Sequence, residues 1–228
     1  MFTKLDGYVG SNGYEQPKNP NWWYDISFKN SFNIFDLNNF YPNDYFDGKE
    51  PFPVNHLIDR YYYRVLEAYH NIYKKQPISI LECGTSSGWF TKKFQDEHID
   101  IIGIEGTDAG INKCIANGVK KDNLIKHDLR RIINLNKKFD IVLCTEVAEH
   151  IEPPFSASLI YNLTIHSDFI WFSSVEPNTN SPHYHHPNEQ PNKFWINLFK
   201  FYGFDYISIP KEISSELYGR GTHIFIKH

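Results

Sequence analysis

From Pro77 onward, short apolar runs alternate with helical stretches, and this alternation constrains the fold more than any other feature of the sequence. The runs cover residues 78–82, 101–105, 124–127, 139–145, 169–175, 205–209 and 222–226. They are built mainly from Ile, Leu and Val, as buried strands are. Helical spacing fills 89–98, 108–117, 153–165 and 192–202, with Gly118 and Gly203 closing two of these stretches. Strands alternating with helices predict an α/β fold on a seven-stranded, mostly parallel sheet. The loop before the last run is too short for a long helix, so that strand is expected to run antiparallel. Upstream, Leu57, Ile58, Tyr61, Tyr62, Val65, Leu66 and Tyr69 recur at steps of one, three and four. That spacing predicts an amphipathic helix over 56–74, which Pro77 ends.

Residues 1–52 read differently. Asn, Gly, Pro and aromatic residues interrupt every short run, so this segment is expected to be a loop-rich extension or lid on a main domain over 53–228. Aromatic residues make up 17% of the 228 residues, which excludes a disordered chain. Many of them fall outside the apolar runs, in 1–73 and after the fifth run. The net charge of −4 speaks against a phosphate-binding nucleic-acid partner. Three cysteines with no CxxC pairing form neither a disulfide framework nor a zinc site. The N-terminus lacks a basic stretch before an apolar run, and no apolar run is long enough to span a membrane. A cytoplasmic protein is expected, in the host cytoplasm if the source is viral. The sequon at Asn162 is read as chance.

Ile80-Leu81-Glu82-Cys83-Gly84-Thr85-Ser86-Ser87-Gly88-Trp89 carries a strand into a turn of small residues and then into a helix. Glycines 84 and 88 let the backbone approach a ligand, and the helix start offers free N–H groups. A second run ends in Glu105, where a carboxylate can accept both hydroxyls of a ribose. Dinucleotide dehydrogenases and class I S-adenosylmethionine (SAM) methyltransferases share this arrangement. Glu82, just before the loop, would repel a pyrophosphate and suits the ammonium of a methionine moiety. The stretch LECGTSSGWFT resembles motif I of the class I methyltransferases, with Ser86 in place of the usual middle glycine. IIGIEG, ending in Gly106, resembles their second-strand motif.

The resemblance implies a Rossmann-like domain that binds SAM through Glu82, Gly84, Thr85, Ser86, Gly88, Glu105, Gly106, Thr145 and Glu146. It also implies that Asp128 accepts from the adenine amino group and that Leu129 offers its backbone N–H to the ring. A helix N-cap is the alternative for Asp128.

After the fourth run, Thr145-Glu146-Val147-Ala148-Glu149-His150 resembles the E-x-x-E-H segment of many class I methyltransferases. In a helical turn Glu146, Glu149 and His150 would share a face. Three readings stay open for this cluster: a divalent metal between the carboxylates, a general base at His150 or Glu149, or a structural segment in which Glu146 contacts the SAM amino group. E-x-x-E-H followed one strand later by a histidine resembles the small-RNA terminal 2′-O-methyltransferases and the ubiquinone-pathway O-methyltransferases. That resemblance implies metal ligands Glu146, Glu149, His150 and His186, with His183 in reserve and His186-Pro187-Asn188-Glu189 as the H-x-x-E stretch. Such an oxygen-rich set suits Mg²⁺ or Mn²⁺. Glu149, His150 and His186 are the candidate catalytic residues.

Trp22, Trp23, Tyr24, Phe28, Phe32 and Phe35, among 21 asparagines, favour a sugar or glycan acceptor. Alternatives are a small molecule, an amino sugar methylated on nitrogen, a terminal RNA ribose, or a scaffold without activity. A packing apron over the sheet competes with sugar stacking as the role of these aromatics.

Overall fold

A computed structural model describes residues 36–41, 43–46, 55–177, 186–209 and 222–227. Two four-residue helices, α1 (Leu37–Phe40) and α2 (Asn43–Phe46), precede α3 (Asn55–Tyr73). The sheet strands are β1 (Ser79–Cys83), β2 (Asp100–Glu105), β3 (Leu124–Lys126), β4 (Ile141–Thr145), β5 (Phe169–Ser173), β6 (Asp205–Ser208) and β7 (His223–Ile226). The helices between them are α4 (Trp89–Asp96), α5 (Asp108–Ala116), α6 (Ser156–Thr164) and α7 (Asn192–Phe201). Each expected strand and helix lies within a few residues of its predicted span.

The seven strands stand in the order β3-β2-β1-β4-β5-β7-β6. Pairings from β3 through β5 are parallel, and β7 runs antiparallel to both β5 and β6. Strand order reverses between β1 and β4, so a crevice opens beyond their carboxyl ends. The glycine loop follows β1, and the E-x-x-E-H segment follows β4. Topology alone therefore sets these two motifs side by side.

Alternate residues of each strand enter two cores. Leu81, Val142 and Phe172 face α6 and α7, where Trp195 and Phe199 pack against them. Ile80, Ile141 and Trp171 face α3 and α4, meeting Tyr61, Val65 and Phe94. Tyr61, Tyr62 and Tyr69 of α3 are core residues, and Tyr61 stacks on Phe90, its ring centroid 4.1 Å away. Burying each of these large side chains contributes about 1.5–3 kcal/mol.

Part of the aromatic surplus thus has a different place from the one expected. Phe169, Trp171, Phe172 and Phe225 lie inside strands and are buried. The aromatics expected to stack on sugar, Trp22 through Phe35 and Tyr184, lie outside the described residues. Helix α3 ends at Tyr73 because Lys74 adopts a left-handed backbone, before Pro77 is reached. Asn162 is fully buried and donates to the carbonyls of Leu129 and Arg131, so the sequon is a packing residue.

Candidate active site

Beyond β1 the chain must turn sharply into α4, and three residues of the loop take left-handed backbone to do so. Gly84 has φ +84°, Ser86 φ +50° and Gly88 φ +79°. A Cβ on Gly84 would overlap a methyl of Val147, and one on Gly88 would lie 2.8 Å from Cys114 Sγ. The amides of Gly84 and Thr85 donate to the Ile104 carbonyl at 2.8 and 3.0 Å, tying the loop to the end of β2. Glu105 stands at that end, buried. Its Oε2 accepts from the Ser86 amide at 3.1 Å, and its Oε1 from the Thr107 amide and hydroxyl at 2.9 and 2.8 Å. Burial raises its pKa, and the bonds from Thr107 and Ser86 oppose that rise. Gly110 leaves room for this carboxylate, since a Cβ there would lie 2.6 Å from Glu105 Cδ.

Glu82 is buried at the end of β1 and accepts from the Thr91 hydroxyl. Burial pushes its pKa up to about 8, with the Thr91 bonds opposing. A cation beside it would return it to the charged form.

Beyond β4, Glu149, His150 and His186 offer ligand atoms that all lie within 4.8 Å of one another. Glu149 and His150 sit on a 3₁₀ turn, Ala148–His150. The rings of His150 and His186 meet edge to face, with centroids 4.6 Å apart. Nδ1 of His186 lies 3.0 Å from Glu189 Oε1, a carboxylate contact of the kind that orients a ligating imidazole. Asn188 holds the two loops together. Its amide donates to the Glu149 carbonyl at 3.1 Å, and its side chain donates to the Ala148 carbonyl and the Ser156 hydroxyl at 3.2 and 2.9 Å.

Glu149 is almost wholly buried, and its Oε2 has no hydrogen-bond partner among the described residues. Burial, and then the nearby Glu146, push its pKa well above the carboxylate range. An orphaned buried carboxylate oxygen beside two imidazoles is a donor set that a divalent cation fits.

Residues 54–160 match the family model described as a methyltransferase domain. This stretch of the chain is a SAM-dependent methyltransferase domain. Among solved structures, the plantazolicin methyltransferase BpumL in complex with SAH aligns with TM-score 0.58 at 16% identity, over 81% of this chain and 88% of that one. DesVI of Streptomyces venezuelae aligns with TM-score 0.63 at 12% identity, over 86% of this chain and 100% of that one. The sugar N-methyltransferase KedS8 from Streptoalloteichus aligns with TM-score 0.62 at 10% identity, over the full length of both. No curated protein sequence matches the chain.

Several expectations for this methyltransferase need correction. Glu146 does not join the metal cluster: its backbone is left-handed, with φ +54°, and its Oε1 instead accepts from the Ser173 hydroxyl at 2.8 Å. The spacing argument assumed an α-helical turn, and the segment is not one. The reserve ligand His183 lies outside the described residues. No helix starts at Asp128, so its alternative role as a helix cap falls away. Its carboxylate instead accepts from the Arg130 guanidinium, at 3.0 Å on Oδ1 and at 3.1 and 2.8 Å on Oδ2. Leu129 is buried in the core. Thr145 lies at the end of β4, its hydroxyl bonded to that of Tyr61. Gly106 gives its Cβ space to Leu37, whose Cδ1 would lie 2.7 Å from a Cβ there.

Three structural partners were not anticipated. Arg130, buried, bridges Asp128 and Glu152, the latter at 3.1 Å, and so joins the loop after β3 to the segment after β4. Asn188 was within the H-x-x-E stretch, but its role depends on carbonyls forty residues away. Tyr41 reaches the site from α1: its hydroxyl lies 3.2 Å from His150 Nδ1.

Proposed function

We propose that this methyltransferase transfers the SAM methyl group to a hydroxyl of a sugar or glycan, at a divalent-cation site formed by Glu149, His150 and His186. The observation that carries the reading is the buried Glu149 Oε2, which has no partner among the described residues yet faces two histidines. Two imidazoles and one carboxylate suit Mn²⁺ better than Mg²⁺, which prefers oxygen. This modifies the oxygen-rich set that Glu146 would have completed.

SAM would lie across the crevice between β1 and β4. Glu105 accepts from its ribose hydroxyls, Gly84, Thr85, Ser86, Gly88 and Gly106 allow close backbone approach, and Glu82 faces its ammonium group. Asp128 and Leu129 flank the adenine, and Thr145 and Glu146 the methionine end. SAM supplies a methyl carbon already bound to a sulfonium leaving group. The carbon–oxygen bond forms as the carbon–sulfur bond breaks, which requires the three atoms in line. A cation held by the cluster would lower the pKa of the acceptor hydroxyl. Without a cation, His150 would take the hydroxyl proton as general base.

A second reading, N-methylation of an amino sugar, is favoured by the structural likeness to a sugar N-methyltransferase. An amine is nucleophilic without a metal. Labelled SAM with a panel of free glycans, nucleotide sugars and amino sugars tests both readings, with and without EDTA. O-methylated product lost on chelation supports the first. N-methylated product insensitive to EDTA supports the second. No labelled sugar in any arm contradicts both.

A further inference from the structure

Helix α1 and the residues flanking it form a short strap across the end of the sheet. Two contacts seat it and one bond within it shapes its start. Asn38 Oδ1 accepts from the Asp108 amide at 2.7 Å, at the start of α5. Leu37 fills the space left by the missing side chain of Gly106. Asp36 caps the turn, its carboxylate accepting from the Asn38 amide at 2.9 Å. Both outer seats lie just past Glu105, on the ribose side of the crevice. The strap then ends at Tyr41, whose hydroxyl lies 3.2 Å from Nδ1 of His150 on the other side. The two rings also meet nearly perpendicularly, with centroids 6.1 Å apart and an interplanar angle of 79°. Tyr41 in turn packs edge-on against Tyr45 of α2 at 5.0 Å, which limits how far its ring can swing.

A neutral histidine has one protonated and one bare nitrogen, and the hydrogen bond made by one fixes the state of the other. With Nδ1 of His150 turned to the Tyr41 hydroxyl, Nε2 is the nitrogen we assign to the cation or to the acceptor proton, and either use needs it bare. Both uses therefore require the proton on Nδ1, the atom that faces Tyr41. We propose that Tyr41 is a positioning residue of the transfer site: its hydroxyl oxygen accepts from His150 Nδ1–H, holding that tautomer and the ring plane, and the strap Asp36–Tyr41 carries it there. The inference rests on His150 belonging to the transfer site, but it needs no metal. It also gives the strap Asp36–Tyr41 a defined task, linking the ribose end of the crevice to the histidine.

The test uses the full chain, stripped with EDTA and labelled with ¹⁵N-histidine, the His150 signals being assigned through His150→Gln. Long-range ¹H–¹⁵N spectra read the tautomer directly. Wild type is expected to show one form, protonated on Nδ1 and bare on Nε2. Tyr41→Phe, which keeps the ring and loses the oxygen, is expected to show a mixture or the opposite form. Its heat of SAH binding, measured by calorimetry, should stay within about twofold of wild type, which confirms a folded cofactor site. A wild-type His150 bare on Nδ1, or an unchanged spectrum in Tyr41→Phe, would overturn the proposal. Separately, Mn²⁺ alone is titrated into both proteins. Tyr41→Phe is expected to weaken Mn²⁺ binding about 10-fold or more, the usual effect of losing a partner that orients a ligating histidine. If wild type binds no Mn²⁺, the cation reading fails while the tautomer result still decides the role of Tyr41.

Discussion

Two buried acids flank the same crevice and are treated in opposite ways. Glu105, at the end of β2, meets three donors from Ser86 and Thr107. Glu149, beyond β4, keeps one oxygen without a partner among the described residues and sits near a second acid, Glu146. The first half of the crevice is a finished hydrogen-bonded cradle. The second half holds an acid strained by burial and by Glu146, which bonds from Ser174 and Val175 oppose without offsetting. A buried polar atom left unpaired costs about 1–3 kcal/mol, and more when it is charged. That cost, beside two imidazoles, is the ground on which a positive partner is proposed there.

The largest expected effect comes from neutralising the strained acid. Glu149→Gln should lower Mn²⁺ affinity at least about 100-fold, and metal-dependent methyl transfer with it. It should also raise the melting temperature at pH 8. The folded-state pKa of Glu149 is raised, so its carboxyl costs stability at every pH above its unfolded value, and the amide does not. Glu105→Gln should do the reverse and lose about 1–3 kcal/mol, because an amide N–H₂ cannot accept from the donors around it. Equal shifts of the same sign in the two variants would break the comparison.

Gly84→Ala strikes the seam between the halves. The added methyl meets Val147, and the backbone at φ +84° disfavours any side chain. A loss of about 2–4 kcal/mol by denaturant unfolding is expected. Val147→Ala in the same chain should recover only the steric part.

Glu82 sharpens the comparison through pH. Its folded-state pKa of about 8 lies above the ordinary 4.5. The stability linked to it is complete below about pH 4.5 and is lost as pH rises through 8. Ligand-free protein should lose on the order of 1 kcal/mol per pH unit in that window, and Glu82→Gln should flatten the profile. Melting curves from pH 5 to 9 measure this. If the ammonium group of bound SAH lies beside Glu82 as proposed, SAH should also flatten it.

The smallest effect belongs to Ser86, a left-handed serine where glycine is at ease. Ser86→Gly should gain about 0.5–1 kcal/mol, seen as a small rise in melting temperature.

The cradle was the more legible half because its signals are local. A strand, a turn that needs positive φ and a helix start follow one another within ten residues, and glycines mark the turn. Glu105 ends its own strand. The strained half depends on features that no local pattern reports. Nothing at Glu146 announces a left-handed backbone, so the helical spacing rule put its carboxylate on the wrong side. Asn188 acts on carbonyls far away in the chain. Tyr41 arrives from a segment whose irregular composition hides its short helix. His186 was reachable only through the family resemblance, whose H-x-x-E stretch it begins; the structure sets its imidazole beside Glu189. The aromatic surplus misled in part: a Phe or Trp in a strand reads the same whether it fills a core or lines a pocket, and β5 shows it filling the core.

The central claim is that the cluster beyond β4 holds a cation. Titrating Mn²⁺ into the full chain, followed by electron paramagnetic resonance of the free ion, tests it most directly. The account predicts one ion bound by wild type and none by Glu149→Gln at the same concentration. No binding by wild type, or equal binding by both, would contradict it.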